Sequence, residues 1–522
     1  MGTKINSKNI LIAFTSSIFL LYTLNILDFL SIGTKLYRKE SHGENLETFN
    51  MIVFTTSCIA SQCVFGGMSK FKAGICGGPI FESVKLINDI HDICENNTET
   101  AVDSVTNAYF AVMVSTLLFA ILSFVLGMYN LGMFFDYIPK MALYGVMASI
   151  GIGLCEAGFS EIYISGYSPD IYIHVSCVCT AFLVLFAYYL ERNFPGYIFF
   201  IPLYSMMVVI LFYVTFFTFG CNMEWLRSHK LIPEYVPIVL SLNGFTKYLS
   251  PSKVRLGLFL KCLPRILDLA FTNMIHITVN VPGFSAIMNL PVNINDEFKT
   301  QGYANLISAI LGFPTYFINC TSVYFNKSGG TSKFHSLLGG VLLTGLIYIG
   351  PKARAVLPRI LLAFIPVYIG GAFIISNIID NIGCVSTMDM SIIIISCIIG
   401  YIISPVMGLI LGSSLNALII LYSYNNWLGT CNEEGSVYYN EVQKAYKVVK
   451  IDFIAFFMNL NMLRKRLDVK GEKILIDMRQ CPYIDAESNN ILSEYIDKCE
   501  GDVFIIGRPV NLYTKRVSKY MI

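Results

Sequence analysis

The sequence predicts an all-α polytopic membrane domain of about fourteen spans, a seven-plus-seven inverted repeat with two half-helices, followed by a small soluble α/β domain. Three observations predict it. Hydrophobic residues make up 55% of the 522 residues and charged residues only 14%, against roughly 25% charged in a typical soluble domain. Long apolar runs alternate with short polar links up to about residue 424 and then cease. Two of the runs, in matching places, are too short and too polar to cross a bilayer alone. Charges this sparse cannot cover a water-facing surface, which excludes a soluble enzyme. The net charge of +2 points to no polyanionic partner, and so to no nucleic acid. The fifteen cysteines lie mostly inside apolar runs without CxxC pairing, and read as small buried hydrophobes.

A hydrocarbon core is roughly 30 Å thick, which sets the length of a span. Apolar segments begin near Leu11, Met51, Pro79, Asn107, Tyr137, Tyr172, Tyr197, Leu263, Tyr303, Thr315, Ser336, Leu357, Ser391 and Val406. After Asn425 charged residues become frequent and apolar runs shrink to strand length. This divides the chain into a membrane domain, 1–428, a linker from Gly429 to Ser436, and a small domain, 437–522. The first run, Ile10 to Ile32, follows Lys4 and Lys8 as a signal peptide would. Its length, its Asp28 and the lack of a small-residue cleavage site favour an uncleaved first span.

The two short segments are the third, Gly77-Gly78-Pro79 through Val84, and the tenth, Phe313-Pro314 through Phe325. The fifth and twelfth also share a feature, Tyr137-Ile138-Pro139 in one and Phe364-Ile365-Pro366 in the other. Short interrupted segments in matching places point to inverted repeats around a central binding site. A helix that starts at mid-membrane leaves backbone N–H groups unpaired, which is tolerable only if they face a cavity or a ligand. Two such ends give roughly half a positive charge each. Two kinked ordinary spans are the alternative on periodicity alone. Charge does not fix orientation: Lys70 and Lys72 fit a cytosolic loop, but Lys35, Arg38, Lys39, Lys352, Arg354 and Arg359 lie across the membrane from them. An even number of spans puts both termini on one side.

On these residues the chain resembles the sulfate permease (SulP) family, and more closely its fungal vacuolar branch. Asp296-Glu297-Phe298-Lys299-Thr300-Gln301-Gly302-Tyr303-Ala304-Asn305 is similar to the acidic start of the family's ninth span, with its Gln/His-Gly-x-x-Asn. Leu311-Gly312-Phe313-Pro314, with Gly329 fifteen residues after the proline, is similar to the tenth-span motif. Ile275-His276-Ile277-Thr278-Val279-Asn280-Val281-Pro282 resembles the fungal branch's His-x-Pro-x-Asn-x-Pro, with Thr278 in place of the first proline. Asn25-Ile26-Leu27-Asp28-Phe29-Leu30-Ser31 resembles that branch's first span. In the tail, Lys473 to Met478, Tyr483-Ile484-Asp485-Ala486, Ile491-Leu492 and Val503 to Gly507 read as strand, turn, helix and strand, similar to a STAS domain. Relatives place serines after the aspartate of that turn. Here Ala486 and Glu487 stand there, with Ser488 later, which speaks against a phosphoserine switch. The resemblance implies core and gate bundles with the substrate between the third and tenth half-helices, and a cytosolic STAS-like domain open to protein partners. A homodimer is the assembly usual among relatives.

Departures from the family carry the chemistry. Anion-transporting members usually have an arginine seven residues after the tenth-span proline; here that residue is Thr321, with Asn319, Cys320 and Ser322 beside it. Carboxylates enter instead. Asp28 lies deep in the first span and Glu82 in the first turn of the third segment. An acid at the centre of a span costs about 2.5–3.5 kcal/mol on insertion scales, so each is a functional candidate. A helix cap for Glu82 and a structural hydrogen bond for Asp28 are the alternatives. His276 and Asn280 share one helix face, where His276 either carries a coupling proton or is satisfied by a neighbour. Asp268 is a weaker candidate two turns earlier. No metal spacing, phosphate loop, nucleophile elbow or cofactor motif occurs. Asn96-Asn97-Thr98 is a glycosylation sequon if its loop is lumenal.

The expectation is therefore a non-enzymatic secondary transporter in the lipid bilayer of the vacuole, another endomembrane or the plasma membrane, with both termini cytosolic. Its small solute would be a basic amino acid or other zwitterion, with a proton as the candidate coupling ion. The ligand's carboxylate would meet backbone N–H groups at Ser83 and Ser322, and its amino groups Asp28 or Glu82. The rivals are a proton-coupled sulfate or other anion transporter, and a non-transporting receptor or scaffold.

Overall fold

The computed structural model describes residues 15, 17–18, 29–30, 32–38, 40–71, 73–78, 81–132, 138–163, 171–194, 200–234, 245–290, 292–330, 332–430, 447–451, 455, 460–467, 473–481, 483–499 and 502–507. They fall into two compact units, Met1–Gly132 with Gly153–Gly371, and Met133–Ile152 with Ala372–Ile522.

The first unit opens with a hairpin, β1 (Glu40–Ser41) and β2 (Glu44–Asn45), turned at His42 and Gly43, both of positive φ. Then come α1 (Glu47–Met68), β3 (Cys76–Gly77), α2 (Phe81–Glu95) and α3 (Ala101–Met128), whose N-cap Thr100 accepts the Asp103 N–H. α4 (Lys140–Ile162) straddles the two units. α5 (Ile171–Asn193), α6 (Phe200–Thr218) and the short α7 (Met223–Ser228) follow. α8 (Leu256–Met288) carries Pro264 and Pro282 inside it, and leads to α9 (Ile294–Leu311), β4 (Tyr316–Phe317) and α10 (Asn319–Lys327). α11 (Lys333–Leu342) starts with a capping box between Ser332 and His335. α12 (Thr344–Arg354) and α13 (Arg359–Ile374) complete this unit.

α2 and α10 have 15 and 9 residues, about 22 Å and 14 Å of rise, short of a bilayer. α10 starts later than the apolar run predicts, because residues 315–318 are extended rather than helical. Gly312, at φ +134°, and Pro314 separate this stretch from α9, since neither continues a helix. The eleventh segment, expected as one run, breaks at Leu343 into α11 and α12.

Composition around α5 and α6 is inverted relative to a soluble helix. α5 buries Ser176, Thr180 and Ala187 while exposing Val178, Phe182 and Leu185; α6 buries Ser205 and exposes Ile210 and Leu211. Small and polar residues inside with aliphatic residues outside suit a lipid solvent. Seven helices among the described residues are long and apolar enough to cross a membrane: α1, α3, α4, α5, α6, α13 with the π-turn Ile375–Ile379, and the later span Pro405–Tyr422. The chain is an integral membrane protein.

Polar contacts mark two ends of the first unit. At one, Arg38 pairs with Asp92, Glu44 with Lys247 at 2.6 Å, Asp103 with Lys253 at 2.7 Å, and Arg354 with Glu47 at 2.9 Å. At the other, Glu297 accepts the Ser69 hydroxyl and the Lys70 N–H, each at 2.9 Å, and Lys333 donates to the Gly67 carbonyl at 2.9 Å. α1 runs from the first end to the second.

In the second unit, α14 (Thr387–Ile402) is N-capped by Ser386 and followed by α15 (Pro405–Thr430). Glycines set their spacing against the start of α4: a Cβ on Gly145 would sit 2.4 Å from the Ile393 carbonyl oxygen, and one on Gly412 2.8 Å from the Ala142 Cβ. The C-terminal segment holds β5 (Lys447–Lys450), α16 (Leu460–Leu467), β6 (Lys473–Asp477), α17 (Ala486–Lys498) and β7 (Asp502–Ile506). Its strands form a parallel sheet in the order β5-β6-β7, and Ile474, Ile476, Leu492 and Ile505 lie in its core. Asp485 caps α17 by accepting the Ser488 N–H at 2.8 Å, and Ser488 is fully buried. A buried hydroxyl is closed to phosphoryl transfer, in line with the missing serines at this turn.

Candidate functional site

The site begins with two short extended stretches of backbone. β3 and β4 pair antiparallel, Cys76 opposite Phe317 and Gly77 opposite Tyr316, and the Ile318 N–H donates to the Ile75 carbonyl at 2.9 Å. Each strand leads into one of the short helices, so α2 and α10 start on either side of one small ladder. Irregular backbone inside a membrane protein must find partners among side chains. Gln62 of α1 accepts the Cys76 N–H at 2.7 Å and donates to the Ser336 hydroxyl at 2.7 Å. Asn305 of α9 accepts the Thr315 N–H and donates to the Thr315 carbonyl, both at 2.8 Å. Asn326 of α10 donates to the Ala73 carbonyl at 2.6 Å. Three side-chain amides thus do the work that helix hydrogen bonds do elsewhere.

α8 runs past both short helices. Asn273, His276, Asn280 and Gly283 are spaced three, four and three apart, along one helix face. Asn273 donates to the Ser83 hydroxyl of α2 at 3.1 Å. His276, buried, meets the Tyr316 ring edge to face at 5.7 Å between centroids. A Cβ on Gly283 would lie 2.8 Å from the Asn319 Nδ2, so a larger residue there would shift this side chain at the start of α10. Asn280, half-buried, lies between them along the stripe.

The start of α10 has an uncapped Ile318 in the N-cap position. Its first intrahelical bond runs from the Ser322 N–H to the Ile318 carbonyl at 3.1 Å, so the N–H groups of Asn319, Cys320 and Thr321 lie ahead of the helical ladder. This corrects the expectation that Ser322 offers its N–H to a ligand. Its hydroxyl, fully buried, accepts the Ile75 N–H at 3.0 Å. Ser322 is therefore a structural clamp, and the backbone donors sit one to three residues earlier. Thr321 is buried, and the Asn319 Oδ1 is buried without a hydrogen-bond partner among the described residues.

Asp28 and Pro79 lie outside the described residues. The side chains of Glu82 and Cys320 are also outside them; Glu82 sits by its backbone in the first turn of α2. Asp268 lies toward the ion-paired end, facing Arg265 at 3.3 Å, and does not join the site. Sequence reasoning missed Gln62 and Asn273. The signal was present: each is an amide inside an apolar run, and Asn273 falls one turn before His276 on its face. It also picked out no acidic cluster at the end of α2, where His91, Asp92 and Glu95 bring one ligand atom each within 4.8 Å of one another. Asp92 is engaged there by Arg38, and Glu95 by the His42 N–H.

The sulfate permease family model matches residues 170–396, which span α8, the β4 strand and α10. Over this stretch, less than half of its length, the chain is similar to the sulfate permease family. It is also similar to a vacuolar basic amino acid transporter, VSB1 of Saccharomyces cerevisiae, at 22% identity over 92% of this chain and 49% of the relative. The chain thus spans about half the length of this curated relative. Two solved structures share the fold. The transmembrane domain of the cyanobacterial bicarbonate transporter BicA superposes with a TM-score of 0.56 at 14% identity, covering 76% of this chain and 97% of BicA. The murine anion transporter Slc26a9 in its inward-facing state gives 0.57 at 12% identity, covering 98% of this chain and 87% of that one. The chain therefore shares the fold of these two structures, built here around a ladder flanked by neutral side chains. Asn273, His276, Asn280, Asn319 and Thr321 include no lysine or arginine.

Proposed function

We propose that the chain is a secondary active transporter that binds a small zwitterion, best a basic amino acid, at the facing starts of α2 and α10, and moves it by alternating access. The observation that carries this reading is the β3–β4 register, with Gly77 opposite Tyr316, which sets the two helix starts against one ladder. The N–H groups of residues 319–321 and the first turn of α2, at Ser83, suit a carboxylate. Acceptors suit the amino groups. Pro282 has no N–H, so the Thr278 carbonyl loses its helical donor, the Asn319 Oδ1 is without a partner among the described residues, and Asp28 and Glu82 supply charge. Thr321 where an arginine would repel a cation favours the same class. VSB1, named as a vacuolar basic amino acid transporter, agrees with it.

The whole is fourteen spans in two inverted halves, 1–428, with a STAS-like domain, 437–522, at the cytosolic C-terminus. The protein works as a homodimer in the vacuolar or another endomembrane, and the coupling ion is a proton carried by His276 or a nearby carboxylate. The ion-paired end of the first unit then faces the lumen. Anion transport is the second reading, favoured by the two positive helix ends and by the anion transport of BicA and Slc26a9. Reconstituted protein given labelled arginine and labelled sulfate separates the two. Arginine uptake supports the first reading, and sulfate uptake without arginine uptake removes it.

A further inference from the structure

We infer that Cys94 and Cys262 form a disulfide that ties the lumenal end of α2 to α8. Their sulfurs lie 3.9 Å apart although the residues are 168 apart in sequence, and both side chains are fully buried. Antiparallel contacts on either side hold them in register. Ser83 meets Asn273, Asp89 faces Arg265 at 3.4 Å, and Lys261 donates to the Asn97 side chain at 2.6 Å. Closing the gap to a bond needs about 1.9 Å of sulfur travel, within the reach of side-chain rotation.

Compartment decides whether such a pair oxidises. The inference rests on the orientation proposed above, in which the end holding these cysteines and the exposed sequon residue Asn96 is lumenal. During folding in an oxidising lumen, a thiolate of the pair attacks the disulfide of a thiol oxidoreductase. The second thiolate then displaces the mixed disulfide. One sulfur–sulfur bond forms, two protons leave, and the oxidoreductase takes two electrons as its disulfide becomes a dithiol. The step precedes tight packing of α2 on α8, because the packed sulfurs are closed to solvent. Once formed, the bond makes α2 and α8 one body, so that Ser83 and the His276 face of α8 move together.

The experiment uses the full chain purified in detergent without reductant, denatured in N-ethylmaleimide, digested and analysed by mass spectrometry. The expected result is a cross-linked peptide joining Cys94 to Cys262, which disappears on reduction and in either C94S or C262S. A second reading, thermal unfolding, falls on reduction in the wild type and is unmoved by reductant in the C94S/C262S double variant. A C-terminal epitope probed in sealed vesicles reports orientation independently. Both cysteines recovered as maleimide adducts with a cytosolic epitope overturn the disulfide and leave the orientation standing. The same adducts with a lumenal epitope overturn the orientation and the inference with it.

Discussion

The Ser322 hydroxyl accepts the Ile75 N–H at 3.0 Å, binding the first turn of α10 to the strand that leads into α2. Both residues are buried. Ser322→Ala leaves that N–H without an acceptor, at a cost of about 1–3 kcal/mol. The expected outcome is a lower unfolding temperature in detergent and weaker transport. An unchanged midpoint would show that the clamp is dispensable.

The charge pairs around Glu161 differ in what their loss exposes. Glu161 faces Lys35 at 2.7 Å and Arg359 at 4.0 Å, and its backbone carbonyl accepts from Arg359 at 2.9 Å. Glu161 and Arg359 are nearly closed to solvent, whereas Lys35 is 25% exposed. Glu161→Gln leaves the buried Arg359 guanidinium with the carbonyl but without its counter-charge, and breaking one side of a buried pair costs up to about 3–5 kcal/mol. Lys35→Met leaves Glu161 with Arg359 and loses less. Thermal unfolding of the two variants checks the order, and an equal loss would contradict it.

The Glu44 carboxyl is held below its ordinary range by the hydrogen bond from Lys247, and next by that from Tyr248. The same bond raises Lys247. A depressed carboxyl contributes stability above its unfolded value and loses it as pH falls through the folded value; a raised lysine contributes until pH climbs through its folded value. The pair is exposed, so the effect is small and screened by salt. Protease cleavage in the 245–255 region is expected to increase as pH drops into the acidic carboxylate range. Glu44→Gln should cleave at the high rate throughout, and a variant that kept the wild-type pH response would refute the assignment.

Much of this was legible in the sequence because membrane solvent writes long signals. The run from Ile171 to Asn193 is a helix as its hydropathy requires, and the short polar stretches around Gly77 and Phe313 lead to helices too short to span. Less legible was where those helices begin. Four residues after Pro314 are extended because they pair across to β3, a non-local contact that no local pattern reveals. That displacement moved the free amides from Ser322 to residues 319–321. Asn305 stood out as part of a motif, yet its role in holding Thr315 needed the fold. His276 and Asn280 came from a family motif and a shared helix face, and the stripe they share with Asn273 runs past both helix starts.

Thr321→Arg tests the central claim most directly, by placing a fixed cation at the opening of α10 without touching the β3–β4 ladder. The measurement is uptake of labelled arginine into liposomes by wild type and variant, with size-exclusion profiles confirming that both are folded. The expected result is at least about a tenfold loss of arginine uptake, ~1.4 kcal/mol or more. Wild-type arginine uptake in the variant would place the solute's path elsewhere, and contradict it.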